Sequence, residues 1–553
     1  MSGQLGFAEI FVPVQQMRAA FDVHSPCARL PCGADALTVS VASLFERATR
    51  GTQMPHADKV LVTNGAALRA KYGEAFDVAA ALKPLLKADR DRGLQSQWFD
   101  LADPAAMRTV RATAVADPVD QVKTKKAIDK VFGALRPDYL VIVGSVDVVP
   151  HQDMTNPVPA DDDPYAAGDL PYACEAGHGT DPSSFRGPTR VVGRLADETG
   201  ATKPTVLNKV IRVAAKARTR PRRAYDAHLA ISAEVWRDST QLSIRNTFGS
   251  DKDLKLSPTR GPKWTKEQAR RRAHFINCHG ASVDPCFYGQ RGNDYPSAHD
   301  SSWLEGRIAE GTVAVAECCY GAELYDPSAA GGNRPIVSAY AAQGAYGFVG
   351  STTIAYGPAQ GNGSADLLCQ FFLQRVLAGA SLGRAFLEAR QRFVRDTNVL
   401  DPADLKTLAQ FNLIGDPSIV AVQKPGKQAS TPPAKSRASG AGARGARRAN
   451  LMAMGVALES SRSYVEAKPA DRRPPRLTSL KRELGLKHPK VSSFDVQQPS
   501  ALRNAKGAPV AGPEAIHLLV EPIESALPAQ EYRLVVAAER SGEVVSVRDL
   551  RSR

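Results

Sequence analysis

The sequence lacks several features that would define its class at once. It contains no continuous run of eighteen apolar residues, so no membrane-spanning helix is predicted. Its first residues carry neither a basic segment nor a long apolar segment, and we expect no secretory signal. The eight cysteines form no Cys-x-x-Cys pair, and no His-Glu-x-x-His motif is present. A disulfide framework and a metal or cofactor site are therefore not expected, and a cytoplasmic location fits best.

Negative charge is also scarce relative to positive charge, but the imbalance is partly local. The 71 basic and 57 acidic residues give a net charge of +14. Residues 424–450 hold seven basic residues and no acidic or aromatic ones, among Pro, Ala, Gly and Ser. This composition predicts a disordered linker that lacks aromatic rings for base stacking. Binding of nucleic acid through this linker remains an alternative function, but it is not the one favoured.

The pattern of apolar runs indicates an α/β protein with several parts. Buried strands alternate with amphipathic helices from residue 59 to about residue 420. We expect an N-terminal segment (1–54), a first α/β subdomain (55–224) and a second one (225–423). The basic linker (424–450) and a C-terminal region (451–553) with β character near its end complete the chain. The C-terminal region is a candidate for binding a regulatory partner.

Two strand ends in the second subdomain carry residue types suited to catalysis. The run Ala273–Asn277 is followed by Cys278, His279 and Gly280. A second apolar run ends at Cys318 and Cys319, thirty-nine residues after His279. Consecutive parallel strands place their C-terminal ends on one edge of a sheet, so the histidine and a cysteine can face a common substrate. A base beside a thiol produces the nucleophile of a cysteine hydrolase.

The spacing alone leaves a second interpretation open. Cysteine is often buried as plain apolar filler, so both strand ends could be structural. Gly280 favours the catalytic interpretation, because its N–H can approach a developing oxyanion closely.

Five ordered stretches resemble the gingipain-type peptidases (family C25) of the caspase-like clan. They are Tyr139–Gly144 with Pro150, the Asp161–Tyr165 loop with Val192–Leu195, Ile276–Gly280, Glu317–Gly321, and Gly350–Ser351 with Ile414–Ser418. The resemblance covers about residues 55–422. It implies a caspase-like α/β/α sandwich and a cysteine endopeptidase that acts on protein or peptide substrates through a thiolate and an acyl-enzyme.

The resemblance also implies roles for individual residues. His279 matches the catalytic histidine and Gly280 the oxyanion glycine, while Glu234 resembles the glutamate that orients the histidine. A Cys-x-x-Gly pattern selects Cys318 as nucleophile, whereas the caspase pattern selects Cys319 as the alternative. A solvated strand end is the other interpretation of Glu234.

Other residues keep two interpretations. Asp161–Asp163 could bind calcium or form a solvated turn, and Trp236 could wall a substrate pocket or pack. No acidic residue is a clear match to the one that selects basic side chains in arginine-specific members, so substrate preference is open. A catalytically silent scaffold is the remaining alternative function.

Overall fold

The computed structural model describes residues 57–397, 401–424, 447–456, 458, 475–496 and 512–553. The chain divides into two units, residues 1–54 and 55–553. The expected N-terminal segment and residues 425–446 of the expected linker lie outside the described residues. All the elements described belong to the second unit.

The first α/β subdomain begins with strand β1 and contributes four strands to a large central sheet. Its strands are β1 (Lys59–Thr63), β2 (Ser96–Asp100), β3 (Tyr139–Val143), the hairpin β4 (Gln152–Thr155) and β5 (Tyr165–Gly168), and β6 (Val192–Leu195). Its helices are α1 (Gly65–Tyr72), α2 (Val78–Asp91), α3 (Pro104–Thr109), α4 (Gln121–Leu135) and α5 (Thr205–Lys216). The β1 and β6 strands are wholly buried, as expected for parallel strands covered by helices on both faces.

The second subdomain contributes six strands to the same sheet. Its strands are β7 (His228–Ala233), β8 (Leu254–Ser257), β9 (Ala273–Asn277), β10 (His279–Gly280), β11 (Cys286–Tyr288), β12 (Ser297–Asp300), β13 (Val313–Ala316), β14 (Gly347–Ser351), β15 (Tyr356–Gly357) and β16 (Phe411–Gly415). Its helices are α6 (Arg237–Phe248), α7 (Lys266–Ala269), α8 (Ile336–Gln343), α9 (Ser364–Leu377), α10 (Leu382–Asp396) and α11 (Pro402–Gln410).

The central sheet has the strand order β2-β1-β3-β6-β16-β14-β13-β9-β7-β8. Strand β16 pairs in parallel with β6 and antiparallel with β14, so it joins two half-sheets of opposite direction. All other neighbours in this sheet are parallel. The expected caspase-like α/β fold is confirmed.

The C-terminal region forms a second sheet, which confirms its expected β character. It contains α12 (Pro475–Glu483), β17 (Lys490–Asp495), β18 (Ala515–Ile523), β19 (Glu531–Arg540) and β20 (Glu543–Ser552). The order is β15-β20-β19-β18-β17, so β15 of the second subdomain is an edge strand of the C-terminal sheet. Leucines of α12 pack with Leu519 and Val535 to form the small core of this sheet. Hydrogen bonds of the β15–β20 pair therefore join the C-terminal region to the second subdomain.

The structure bears on the expected disorder of residues 424–450 and on the expectation that no helix spans a membrane. Disorder was expected throughout residues 424–450, but residues 447–450 begin a helical segment that extends to residue 456. Arg448 donates from Nη1 to the carbonyl of Arg136 at 2.6 Å and lies over the Phe132 ring. The expectation was wrong for these four residues because such contacts offset the cost of ordering them. Among the described helices, none is long and apolar enough to cross a membrane.

Candidate active site

His279 and the two cysteines lie at one edge of the central sheet. Strands β9 and β13 pair in parallel, with Ile276 opposite Ala316. The N–H of Glu317 continues this ladder by donating to the carbonyl of Ile276 at 2.8 Å. The residues that follow each strand therefore leave the sheet side by side, as the parallel arrangement predicts.

The two adjacent cysteines have different surroundings. Cys318 is fully buried and belongs to the apolar cluster that contains Ala314, Ala316 and Ile276. Cys319 lines a small cavity together with His279 and Gly280. The N–H of Ala355 donates to the Cys319 sulfur at 3.2 Å. Ala314, Ala316 and Cys318 are spaced by two residues, so the alternation of strand β13 continues to Cys318 and turns it towards the core.

The chain turns sharply immediately after Cys319. Tyr320 has a φ of 54°, which is uncommon for a bulky residue and is maintained only by surrounding contacts. Its N–H donates to the carbonyl of Thr353 at 3.0 Å, and its hydroxyl donates to Asp163 at 2.7 Å. These two hydrogen bonds hold the turn that presents Cys319 to the cavity.

Two main-chain N–H groups converge on one carbonyl oxygen beside Cys319. The carbonyl oxygen of Arg553, the last residue of the sequence, accepts from the N–H of Cys319 at 2.8 Å and from the N–H of Gly280 at 3.3 Å. A side chain at Gly280 would collide with the main chain of Cys319, which explains the glycine. Paired N–H donors on a carbonyl oxygen are the arrangement of an oxyanion hole.

His279 is oriented by an amide rather than by a carboxylate. Its Nε2 lies 2.8 Å from Oε1 of Gln290, while Nε2 of Gln290 donates to the Tyr295 hydroxyl at 2.7 Å. Because Gln290 Oε1 can only accept, Nε2 of His279 carries the proton and Nδ1 is left as an acceptor. Trp236 packs against the imidazole with ring centroids 4.2 Å apart. Burial lowers the pKa of His279 to about 3, although the hydrogen bond that His279 donates to Gln290 acts in the opposite direction.

Glu234 was expected to orient His279, and its described contacts lie elsewhere. The carboxylate pairs with Arg237 at 2.8 Å and with Arg291, and its side chain is 22% exposed. Within the described part of the chain, no hydrogen bond or ion pair joins Glu234 to His279. Gln290, which precedes Arg291, holds the imidazole. Sequence reasoning missed Gln290 because an amide in a loop carries no motif.

The side chain of Arg553 fills a closed pocket next to His279. Its guanidinium pairs with Asp366 at 2.9 Å and donates to Asn277 Oδ1 at 2.7 Å and to the carbonyl of Pro358 at 2.8 Å. It also lies over the Trp236 ring, 4.7 Å from its centroid. Neither the Arg553 side chain nor the Asp366 carboxylate is exposed. Trp236 therefore walls a pocket, which was one of its two interpretations.

A second acidic side chain lies close to this pocket. Glu317 is completely buried, and neither of its carboxylate oxygens has a hydrogen-bond partner at ordinary geometry. Burial and the neighbouring charge of Asp366 raise the pKa of Glu317 well above its usual range. Asp366, whose carboxylate lies 2.9 Å from the guanidinium, is the acidic group that pairs with Arg553.

The main chain before Arg553 forms antiparallel β pairs with the second subdomain. Ser552 pairs with Tyr356 and Arg551 with Gly357, and the N–H of Arg553 donates to the carbonyl of Ala355 at 3.0 Å. An extended peptide that adds a strand beside a catalytic cleft is a common mode of peptide recognition.

Asp161 and Asp163 form neither a solvated turn nor an open cation site, and only Asp162 between them is exposed. Asp161 and Asp163 are buried, and the Lys406 ammonium lies 2.6 Å from an oxygen of each carboxylate. The N–H of Ile354 also donates to Asp163 at 2.7 Å. Lys406 supplies the positive charge that a bound cation would otherwise bring. Because Ile354 donates to Asp163, the same cluster also holds the main chain next to Ala355 in place. Within the described part of the chain, no cluster of three or more His, Cys, Asp or Glu could hold a metal.

The fold is caspase-like, and His279 and the two cysteines lie together at one edge of its central sheet. The model of peptidase family C25 matches residues 55–422, and the chain belongs to this family of cysteine endopeptidases. No curated protein matches it. A solved structure described as a protease is 14% identical, covers 89% of this chain and 96% of its own, and has a TM-score of 0.45. The expected family and enzyme class are confirmed by the family match.

Proposed function

We propose that the protein is a cysteine endopeptidase in which Cys319 is the nucleophile and His279 moves the proton. The convergence of the Cys319 and Gly280 N–H groups on one carbonyl oxygen carries this proposal. A carbonyl held there lies against the same cavity that Cys319 and His279 line. Cys318, the expected nucleophile, is instead surrounded by core residues.

The reaction follows from these positions. The Cys319 thiol gives its proton to Nδ1 of His279, and the sulfur attacks the carbonyl carbon of the scissile peptide bond. The N–H groups of Cys319 and Gly280 stabilise the oxyanion that forms. His279 returns the proton to the departing amine, which leaves a thioester on Cys319. Water then gives a proton to His279 and attacks the thioester, and the carboxylic acid and the free thiol are released.

In the state described here, the two catalytic groups are neutral. Burial raises the pKa of the Cys319 thiol to about 12 and lowers that of His279 to about 3. The positive charges of Arg553 and Arg551 also oppose protonation of His279. Departure of these two residues admits water and removes both charges. The imidazole then becomes a better base, and an ion pair with the thiolate becomes more favourable.

Gln290 is the positioning residue in this mechanism. It fixes the tautomer of His279 and takes the place that the resemblance gave to Glu234. An amide orients the imidazole without adding negative charge, so it stabilises the imidazolium less than a carboxylate does. Cys-His catalysis tolerates this, because a thiol is intrinsically more nucleophilic than a hydroxyl.

A substrate-like thiol probe tests the nucleophile. We expect a peptidyl acyloxymethyl ketone with arginine next to the reactive group to label the protein once. Peptide mass mapping should then place the label on Cys319. Cys318→Ala should keep the labelling, and Cys319→Ala should lose it. Labelling of Cys318 in both the wild type and Cys319→Ala would overturn the assignment, and no labelling under any condition would favour a silent scaffold. A cytoplasmic location stays a prediction that rests on composition.

A further inference from the structure

We propose that residues 551–553 occupy the substrate-binding cleft of the resting enzyme, with Arg553 in the position of the residue before a scissile bond. The cleft then accepts other peptides only when this segment is displaced, and the pocket it vacates selects arginine through Asp366. This inference rests on the proposed function, because it assigns the regulation and specificity of the same site.

The position of the Arg553 carbonyl gives the direction of the segment. Its oxygen accepts from the N–H groups of Cys319 and Gly280, as the carbonyl of a scissile bond would. Ser552 and Arg551 precede it along the strand pair with Tyr356 and Gly357. Residues 551–553 therefore have the same chain direction as the substrate residues that precede a scissile bond. They extend from the strand pair with Tyr356 and Gly357 to Cys319.

The pocket around Arg553 is built for a guanidinium. Three acceptors surround it, namely the Asp366 carboxylate, the Asn277 side-chain oxygen and the Pro358 carbonyl. Trp236 covers one face of the planar group. A lysine ammonium could not reach these acceptors in the same planar arrangement, and an uncharged side chain would leave Asp366 buried without a partner.

A glycine keeps the entrance of this pocket open. A side chain at Gly357 would collide with the guanidinium of Arg553. Gly357 pairs with Arg551 through its main chain, so it takes part in strand addition and leaves room for the arginine side chain. Gly357 thus contributes both to the main-chain pairing of the segment and to the space for the arginine side chain.

Contacts outside the cleft hold the segment in place. Nη1 of Arg548 lies 3.1 Å from Asp404, and Arg548 also pairs with Asp401. Leu534 and Arg533 pair with Leu550 and Arg551 within the C-terminal sheet. Strand β20 is therefore fixed on both sides, and an intramolecular segment held in this way competes with free peptides at a high effective concentration.

The experiment uses a protein of residues 1–553 and three measurements. The first is the rate at which carboxypeptidase B releases arginine, compared with a synthetic peptide of residues 543–553. The second is alkylation of Cys319 by iodoacetamide. The third is hydrolysis of a fluorogenic peptide amide with arginine before the cleaved bond. Arg553→Ala is compared with Arg482→Ala, which removes the same charge from an exposed position on helix α12 of the C-terminal region.

We expect wild-type Arg553 to be released at least tenfold more slowly than from the free peptide. Asp366→Asn should remove most of this protection. Arg553→Ala should raise both alkylation and hydrolysis by tenfold or more, while Arg482→Ala changes each by less than about threefold. A free peptide of residues 547–553 should inhibit Arg553→Ala, and the same peptide ending in alanine should not. Opened enzyme should prefer arginine to leucine before the cleaved bond by at least tenfold.

Three outcomes separate the two proposals. Release of Arg553 from the wild type at the rate of the free peptide overturns the inference, whether or not the enzyme is active. Wild-type alkylation and hydrolysis as fast as in Arg553→Ala also overturn it, but they leave the proposed function intact. If Arg553 is protected and Cys319 is nevertheless inert in every variant, both the peptidase function and the inhibitory role fail.

Discussion

Exchanging each of the two adjacent cysteines for alanine should give opposite results. We expect Cys319→Ala to abolish hydrolysis, by roughly a millionfold where the assay can follow it, because no nucleophile remains. Cys318→Ala should keep turnover within about threefold of the parent. Both changes are best made in the Arg553→Ala background, where the cleft is expected to be open.

The structure also sets the effect of Cys318→Ala on stability. Cys318 is fully buried among core residues, so removing its sulfur loses apolar contacts and leaves a cavity. A cavity of about 30 Å³ at about 24 cal/mol per Å³ costs about 0.7 kcal/mol, and the lost transfer free energy adds about 0.8 kcal/mol. The expected loss of about 1.5 kcal/mol should lower the Tm by no more than about 3 °C.

The assay is therefore paired: initial rates with a fluorogenic peptide amide, and thermal unfolding of the same samples. A Cys318→Ala protein that is inactive but as stable as its parent would refute the reasoning, above all if Cys319→Ala remained active. Loss of activity in both variants with normal folding would mean that the two sulfurs act together. That result would contradict the assignment of Cys318 to the core and of Cys319 to the cavity.

Three further predictions concern the orientation of His279, the pocket that holds Arg553, and the buried His299. Gln290→Ala should lower kcat by about tenfold and change the pH profile, whereas Glu234→Gln should change kcat less than threefold; the reverse order would restore Glu234 to the site. In the Arg553→Ala background, Asp366→Asn should raise KM for arginine substrates at least tenfold, with little change for leucine substrates, as measured by initial rates. His299 has a pKa lowered to about 3 by burial, so the unfolded chain takes up an extra proton below pH 6.5 and stability falls as pH falls. Going from pH 7 to pH 4, urea unfolding should show His299→Gln losing about 3 kcal/mol less stability than the wild type, and parallel pH curves would contradict this.

The position of the candidate site followed from strand order, but the choice between neighbouring cysteines did not. Apolar runs ending in His279 and in the cysteine pair predicted one sheet edge, and β9 and β13 pair there. Motif spacing favoured Cys318. The alternation Ala314, Ala316, Cys318 was also present in the sequence and predicts a core-facing Cys318.

Other parts of the site could not be predicted because they depend on contacts between distant segments. Asp366 follows Asn277 by 89 positions, and Arg553 follows Asp366 by 187, yet all three meet in one pocket. Gln290 acts through a single side-chain hydrogen bond to His279. Neither sequence spacing nor hydrophobic periodicity reports such contacts. The acidic loop was misjudged for the same reason, since its partner Lys406 lies more than 240 residues away.

The C-terminal sheet has a second connection to His279, the histidine of the candidate site. The Tyr295 hydroxyl, which accepts from Gln290, donates to Glu531 of strand β19 at 3.0 Å. Glu531 begins strand β19 and pairs with Ile523 of strand β18. The sheet thus supports the position of His279 and also supplies the arginine that fills the pocket. Removal of the whole sheet would open the cleft and would also remove the hydrogen-bonded support of His279. Displacement of residues 551–553 alone would open the cleft and keep the hydrogen bonds from Gln290 through Tyr295 to Glu531.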